Sequence, residues 1–316
     1  MKKIIQLVSI IALAFLSIFP ATQTVKAQDE PIKIGILQHV SHEALDDTRD
    51  GFIERIDELL DGNVEWDLQN ANSDMTTLQS LSEKVARDND IIFAIATPAA
   101  QALASVEEEK PIFFAAVAAP VEAMLVDSME APGRNLTGTT NLGPIADHVD
   151  LLVQVVPDAQ NIGTIYNSSE VNAQHQVDIA TEVIEEKGLN HIVQSVTNTN
   201  DIAQVMAALV NESDAILLVT DNTIDSSISL VGDIGKEAGL ALIGSSDSTI
   251  NANGLATISN SYFDYGVQTA DMVKRMLDED LSPADMPVEV GNNFELVVNE
   301  EFAEAVDIDA SSIQID

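Results

Sequence analysis

From Ile32 onward, short apolar runs alternate with stretches whose apolar residues recur every three or four positions, the pattern of strand–helix–strand units around parallel sheets. Ile32–Leu37 is the first run. A helix follows through Phe52, Ile53, Ile56, Leu59 and Leu60 and stops at Asp61-Gly62. Val64–Leu68 is the next strand and carries the one tryptophan, Trp66, read as a half-buried strand residue. Leu78, Leu81, Val85 and Ala86 mark a second helix, and Ile91–Ala96 is continuously apolar, as a strand covered on both faces should be. It runs into Thr97-Pro98, with Thr97 expected as the cap and Pro98 at the first helical position. Ile112–Val117 is a fourth strand; after it Ala118-Ala119-Pro120 is expected to open another helix, and Leu136–Thr140 is a short fifth strand.

Near 141–144 the pattern restarts. Strands at Ile162–Tyr166, Ile192–Val196, Ala215–Val219 and Leu240–Ile243 alternate with helices near 173–187, 201–211 and 225–238, and Gly188 and Gly239 stand where helices should end. A strand at Leu255–Ile258, a long helix over 263–277 and strands at 288–290 and 294–298 complete the chain. The second half thus repeats the first. The expected fold class is α/β, with two doubly wound parallel-sheet lobes in sequence and a cleft between them.

A length of 316 residues suits about two domains, and 46% hydrophobic residues exclude general disorder. The chain has no cysteine, which excludes disulfides, thiolate metal sites and cysteine nucleophiles together. Lys2 and Lys3 precede an apolar run from Leu7 to Phe19, and Val25-Lys26-Ala27 offers small residues for cleavage, so residues 1–27 have the layout of a secretory signal peptide. The run is short of the roughly 20 residues of a membrane span, and an uncleaved N-terminal anchor is the alternative. No lipoprotein cysteine follows it, and the remaining chain is expected to be exported, periplasmic or on the outer face of the cytoplasmic membrane. The formal charge is −38, and without the three lysines of residues 1–27 it is −41. Such a surface repels nucleic acid and anionic lipid, so no nucleic-acid partner is expected. The acids are scattered over helix faces, which suits solvation in a salty or alkaline medium.

No G-x-S-x-G elbow, no phosphate-binding G-x-x-x-x-G-K-[ST] loop and no G-x-G-x-x-G after a strand occurs, so no catalytic residues and no cofactor are expected. His39 and His42 lie near Glu43, Asp46 and Asp47, but a solvated polar loop explains them better than a metal. The loops after strands form a coherent polar set: Ser41 to Asp46, Thr97 to Ala99, Ala118 to Pro120, Asn167 to Asn172, Thr220 to Thr223, and Asp247-Ser248. Helix N-termini there suit a carboxylate, and side-chain acids suit an ammonium. A zwitterion needs both. Helix capping accounts for any one of these residues taken singly.

Nine segments taken in order resemble the substrate-binding proteins of ABC transporters of the tryptophan/tyrosine type. They are Ile34-Gly35-Ile36-Leu37-Gln38; His42-Glu43-Ala44-Leu45-Asp46 with Gly51-Phe52; Thr97-Pro98-Ala99-Ala100-Gln101; Asn135-Leu136-Thr137-Gly138; Tyr166-Asn167-Ser168-Ser169-Glu170-Val171-Asn172; Thr220-Asp221-Asn222-Thr223; Asp247-Ser248; Gly254-Leu255-Ala256-Thr257; and Tyr262-Phe263-Asp264-Tyr265-Gly266. The resemblance implies a fold of the type I periplasmic-binding kind with a three-crossing hinge. Lobe 1 would comprise 28–141 plus 261–282, and lobe 2 would comprise 142–260 plus 283–316. It implies capture of an amino acid, often aromatic, and its delivery to a permease driven by a separate ATPase, by a protein expected to be monomeric. Where the family has an acid before the proline of the fourth-strand loop, this chain has Ala119.

On this reading Thr97, Ser168 and Ser169 are candidates for the ligand carboxylate, and Asp221 is the first choice for the ammonium, with Asp247 and Glu170 behind it. Leu45, Pro98, Pro120 and Tyr262 would support an apolar side chain. Ser41, Asp46, Ala99, Ala118, Asn167, Asn172, Asn222 and Thr223 complete the candidate site. With aromatic residues at 4% of the chain, no stacking box for an indole stands out. A sensory receptor on the same fold, or a nucleoside or sugar ligand, are the alternatives.

Overall fold

In the computed structural model, which describes residues 30–291 and 293–315, two six-stranded sheets follow one another along the chain. The first has the order β11-β5-β4-β3-β1-β2, built from β1 (Ile32–Gln38), β2 (Val64–Asn70), β3 (Ile91–Ile95), β4 (Ile112–Ala115), β5 (Leu136–Thr140) and β11 (Glu289–Val290), and every pairing in it is parallel. The second has the order β12-β10-β9-β8-β6-β7, from β6 (Asn161–Asn167), β7 (Asn190–Val196), β8 (Ala215–Leu218), β9 (Leu242–Gly244), β10 (Ala256–Ser259) and β12 (Glu295–Val298). It is parallel except for the antiparallel pair of β10 with β12.

Strand periodicity sorts the first core into two layers. Ile34, Ile36, Phe93 and Phe113 point to one face, where they meet Phe52 of α1 (Glu43–Leu59) and Met272 and Val273 of α10 (Tyr262–Glu279). Leu37, Ile92 and Phe114 point to the other face, onto Leu78 and Val85 of α2 (Met75–Asp88) and Leu103 of α3 (Thr97–Ala104). Phe52 and Phe93 stack with centroids 3.9 Å apart. Trp66 meets Phe52 edge-on and donates its indole N–H to Asp57, so it is a half-buried packing residue. The second lobe has one large core, formed by its sheet with α4 (Ile145–Val155), α5 (Val171–Glu186), α6 (Ile202–Leu209), α8 (Ile228–Ala238), α9 (Asp247–Asn253) and α11 (Glu300–Ala305), and a small separate cluster of Ala173, Val177 and Val219.

Four local expectations are corrected. The third crossing, expected at 282/283, falls after β11, because β11 pairs with β5 and the Thr137 hydroxyl donates to the Met286 carbonyl; residues 283–290 therefore lie with the first sheet. No helix forms after Pro120: one turn closes through Ala123 N–H to Ala119 O, and Met124 at φ 58° ends it. Thr97 is not the cap of α3. Ala96 holds that position at φ 77°, and Thr97 is the first helical residue. The helix expected over 225–238 is two elements, α7 (Asn222–Asp225) and α8, with Ser226 and Ser227 between them.

Candidate functional site

The carboxyl ends of both sheets face a common cleft, and the lobes touch across it. Ser248 at the start of α9 donates to Asp47 of α1 at 3.0 Å, and His175 of α5 lies 4.0 Å from Glu122 of the loop after β4. Several strand ends are held in unusual backbone conformations. Ala96 after β3, Ala116 after β4 and Ser245 after β9 all have positive φ, and Ala96, at ψ 155°, occupies a region that side chains other than glycine rarely enter. Such strain collects where a backbone must turn toward a ligand.

Two adjoining cavities lie in the cleft. One is bounded by His42, Leu45, Ala116 and Ala118 from the first lobe and by Asn172, Thr220, Asn222 and Asp225 from the second. The other reaches toward the hinge, past His148, Gln176, Ile258, Tyr265 and Phe294. Asn141 at the first crossing, Thr220 and Tyr262 at the head of α10 border both. Asn141 and Asn172 are buried, and their side-chain oxygens have no protein partner; the same holds for Thr97 Oγ1 and for one ring nitrogen each of His39 and His42. Buried polar atoms are rarely left so without a reason, and those of His42, Asn141 and Asn172 border one cavity.

A second-lobe network stands behind the cavity. Glu170 accepts from the backbone N–H groups of Asn222 (3.0 Å) and Thr223 (3.1 Å), the Thr223 hydroxyl (2.9 Å) and the amides of Asn222 (2.6 Å) and Asn172 (3.2 Å). Asp221 accepts from the N–H groups of Asn167, Thr223 (2.9 Å) and Ile224 (3.0 Å). These two acids cap the one-turn helix α7 and tie it to the loop after β6. Asp225 closes that turn, accepts from the Ser245 hydroxyl at 2.9 Å and borders the cavity. Burial lifts the Asp225 carboxyl to about 7, with Glu170's charge adding to the rise and the Ser245 hydroxyl opposing it. Burial and then Glu170 also raise Asp221, against the pull of its backbone N–H donors. Burial lowers His42 to about 4 and lowers His39, so both imidazoles are neutral at pH 7. Among the described residues no group of three or more histidines and acids is arranged to hold a metal ion.

The structure gathers part of the expected set. Leu45, Ala118, Asn172, Asn222 and Tyr262 line the cavity. Asn167, Glu170, Asp221 and Thr223 form the network behind it. Thr97 and Ala99 are buried in α3, with Pro98 beside them half-buried, and Pro120 is buried in the turn after β4. Ser168 and Ser169 are exposed, and Ser168 bonds back to Val196. Ser41 is exposed and donates to Asp46, which is paired with Arg49 at 2.9 Å. Asp247 sits half-buried in the first turn of α9. Sequence reasoning missed Ala116, Asn141 and Asp225 as cavity residues, took His42 for a solvated loop residue, and placed Thr220 in the polar loop set without naming it a candidate. The spacing of four from Asp221 to Asp225 was the available signal, since it sets two carboxyls on one side of a helical turn.

Two parallel-sheet lobes of repeated design, crossed at a hinge and enclosing polar atoms without partners, define a bilobed small-molecule binding protein of the type I periplasmic kind. The chain belongs to the ABC transporter substrate binding protein family, whose model matches residues 33–313. This is a family of binding proteins, not of enzymes, and its members work outside the cytoplasm with ABC transporter components. The chain is 34% identical over 279 residues to a tyrosine-binding protein of Clostridioides difficile strain R20291, covering 87% of this chain and 81% of the relative. An ABC domain in complex with L-Trp from Streptococcus pneumonia matches at a TM-score of 0.85 and 33% identity, over 89% of this chain and 96% of that one. The ligand-free, open structure of a substrate-binding protein with adhesive properties from Clostridium difficile matches at a TM-score of 0.67 and 35% identity, over 88% and 95%.

Proposed function

We propose that the protein is the receptor component of an ABC importer, capturing an amino acid, with an aromatic side chain as the preferred class, and passing it to a membrane permease driven by a separate ATPase. The observation that carries this reading is the inter-lobe cavity, bordered from both lobes by buried polar atoms that lack protein partners. A ligand bonded to both jaws stabilises their closed arrangement by its extra affinity for it, and the transporter reads that arrangement. Tyr262, Tyr265, Phe294 and Ile258 give the hinge-side cavity an apolar, aromatic wall suited to a ring. The protein works as an exported monomer that releases its ligand unchanged. The export signal assigned to residues 1–27 lies outside the described residues.

A thermal-shift screen against the twenty amino acids, common nucleosides and simple sugars tests the ligand class. Stabilisation by tyrosine, tryptophan or phenylalanine is the expected result. Stabilisation only by a nucleoside or a sugar would sink it.

A further inference from the structure

We infer that the inter-lobe cavity contains a seat for a primary ammonium group, with Asp225 as its counter-ion and the side-chain oxygens of Asn141 and Asn172 as its other two acceptors. This rests on the amino-acid reading above and deepens it, moving the cation from the strand-end acids to the far end of the α7 turn.

Three carboxyl groups are buried in this jaw, and two of them are already occupied. Glu170 receives five donors, two of them backbone N–H groups of α7, and Asp221 receives three backbone N–H groups. Both sit where the partial positive charge of a helix start favours an anion. Asp225 ends the same turn, where that charge gives no help. It is 6% exposed, borders the cavity and accepts from the Ser245 hydroxyl. Among the described residues, the ion pairs with lysine, arginine or histidine include none of these three acids. A buried carboxylate needs a positive partner or a proton.

The two asparagines point independently to the same occupant. Asn141 is 6% exposed and Asn172 is 5% exposed; both border this cavity, and neither Oδ1 has a protein partner. The Asn172 amide is fixed in orientation, because its nitrogen donates to Glu170 and to the Thr220 carbonyl, groups that accept from it. The Asn141 nitrogen is engaged with the Tyr262 hydroxyl. One carboxylate and two amide oxygens around one space form a surplus of acceptors. A primary ammonium, with three N–H donors and one charge, matches that surplus; a ligand hydroxyl brings a single donor and no charge. Asn141 lies at a crossing, and Asn172 and Asp225 lie in the second lobe, so the seat is completed at the hinge.

The seat also ties binding to a proton. Around Asp225 stand Glu170 and Asp221 from its own lobe and Tyr262 from the head of α10, and His42 from the loop before α1 borders the same cavity. Its imidazole is neutral at pH 7 and supplies no cation. With its carboxyl near 7, Asp225 carries a proton in more acidic media, and an arriving ammonium must displace it. Affinity then falls by up to about tenfold per pH unit below 7.

The test is calorimetric titration of the mature protein with L-tyrosine and L-tryptophan, and with 3-(4-hydroxyphenyl)propionic and indole-3-propionic acids, which lack the amino group. The amino acids are expected to bind about 100-fold more tightly than these analogues at pH 8, with the gap closing toward pH 5. D225N is expected to lose about 100-fold for the amino acids and little for the analogues. If D225N fails to fold, the analogue series on the parent protein decides. Equal affinity for amino acid and analogue overturns the ammonium seat while leaving the function reading intact. Binding only of compounds without an amino group overturns both.

Discussion

A carboxyl group buried away from any cation favours the folded protein while it holds its proton and opposes folding once it ionises. Asp225 is such a group. Its folded-state value is raised to about 7, above the ordinary 3.8, so the unfolded chain ionises first as pH rises. Its penalty is absent at pH 3.8 and below, grows between pH 4 and 7, and is complete above 7. A rise of that size corresponds to roughly 4 kcal/mol. Asp225→Asn without added ligand is therefore expected to melt higher than the parent at pH 8, with the difference vanishing near pH 4. Equal melting temperatures at pH 8 would show that the buried charge is neutralised by another route. A stabilising substitution that loses ligand is the mark of a functional site. Asp221 opens a helix after a strand end, the position where the sequence points to a ligand-facing acid. Opening the helix is also why it is occupied: N-terminal N–H groups take its oxygens, a local competition that composition and spacing do not reveal. Ser168 and Ser169 fit the same zwitterion logic, but the turn they form leaves both exposed.

At the scale of elements, the cavity's first-lobe wall depends on how α1 meets α10. Thr48 donates to the Tyr262 carbonyl at 3.1 Å, joining the helix that carries Leu45 to the residue that borders both cavities. Two glycines permit this closeness. A Cβ on Gly51 would stand 2.2 Å from the Phe263 carbonyl oxygen, and one on Gly266 would stand 2.1 Å from the Thr48 carbonyl oxygen. Backbone cannot yield as a flexible side chain can, so Gly266→Ala is expected to cost about 3 kcal/mol in urea unfolding and to weaken ligand binding. Gly188→Ala is the control: its φ is 77° with nothing within 4 Å, so its cost of about 1 kcal/mol comes from the left-handed backbone alone and leaves binding unchanged. If Gly266→Ala is as stable as the parent, the close helix contact is not real. The period of three and four made α10 legible over 263–277, and continuous apolar runs made the central strands legible. The strand expected at 288–290 forms as β11, but two residues carry no signal of which sheet they join; it pairs with β5, and the Thr137–Met286 bond beside it links segments distant in sequence. By contrast α4, absent from the expected elements, has Ile145, Val149 and Leu152 at helical spacing.

Across the whole molecule, the acidic surface and the need to close oppose each other. The chain carries −38 formal charges, and the lips of the cleft bring Asp47 and Glu43 of α1 toward Asp247 of α9. Burial raises the Asp247 carboxyl, and those two acids add to the rise. Closure must therefore overcome like charge at the rim, and the Ser248–Asp47 bond gives back part of that. Hydrogen bonds to charged groups contribute about 1.5–3 kcal/mol when buried and less at a wet rim. Losing about 1 kcal/mol from the closed arrangement alone moves the open–closed balance roughly fivefold. Ser248→Ala is accordingly expected to weaken ligand affinity about fivefold, mainly through faster dissociation, and to enlarge the radius of gyration in small-angle scattering without ligand. Raising salt from 0.05 to 1 M shortens the screening length from more than 10 Å to about 3 Å, and it should tighten binding by both proteins as rim repulsion fades. A variant whose affinity and scattering match the parent's would remove this bond from the closing force, and binding that weakens with salt would show that the rim acids steer the ligand's cation rather than resist closure.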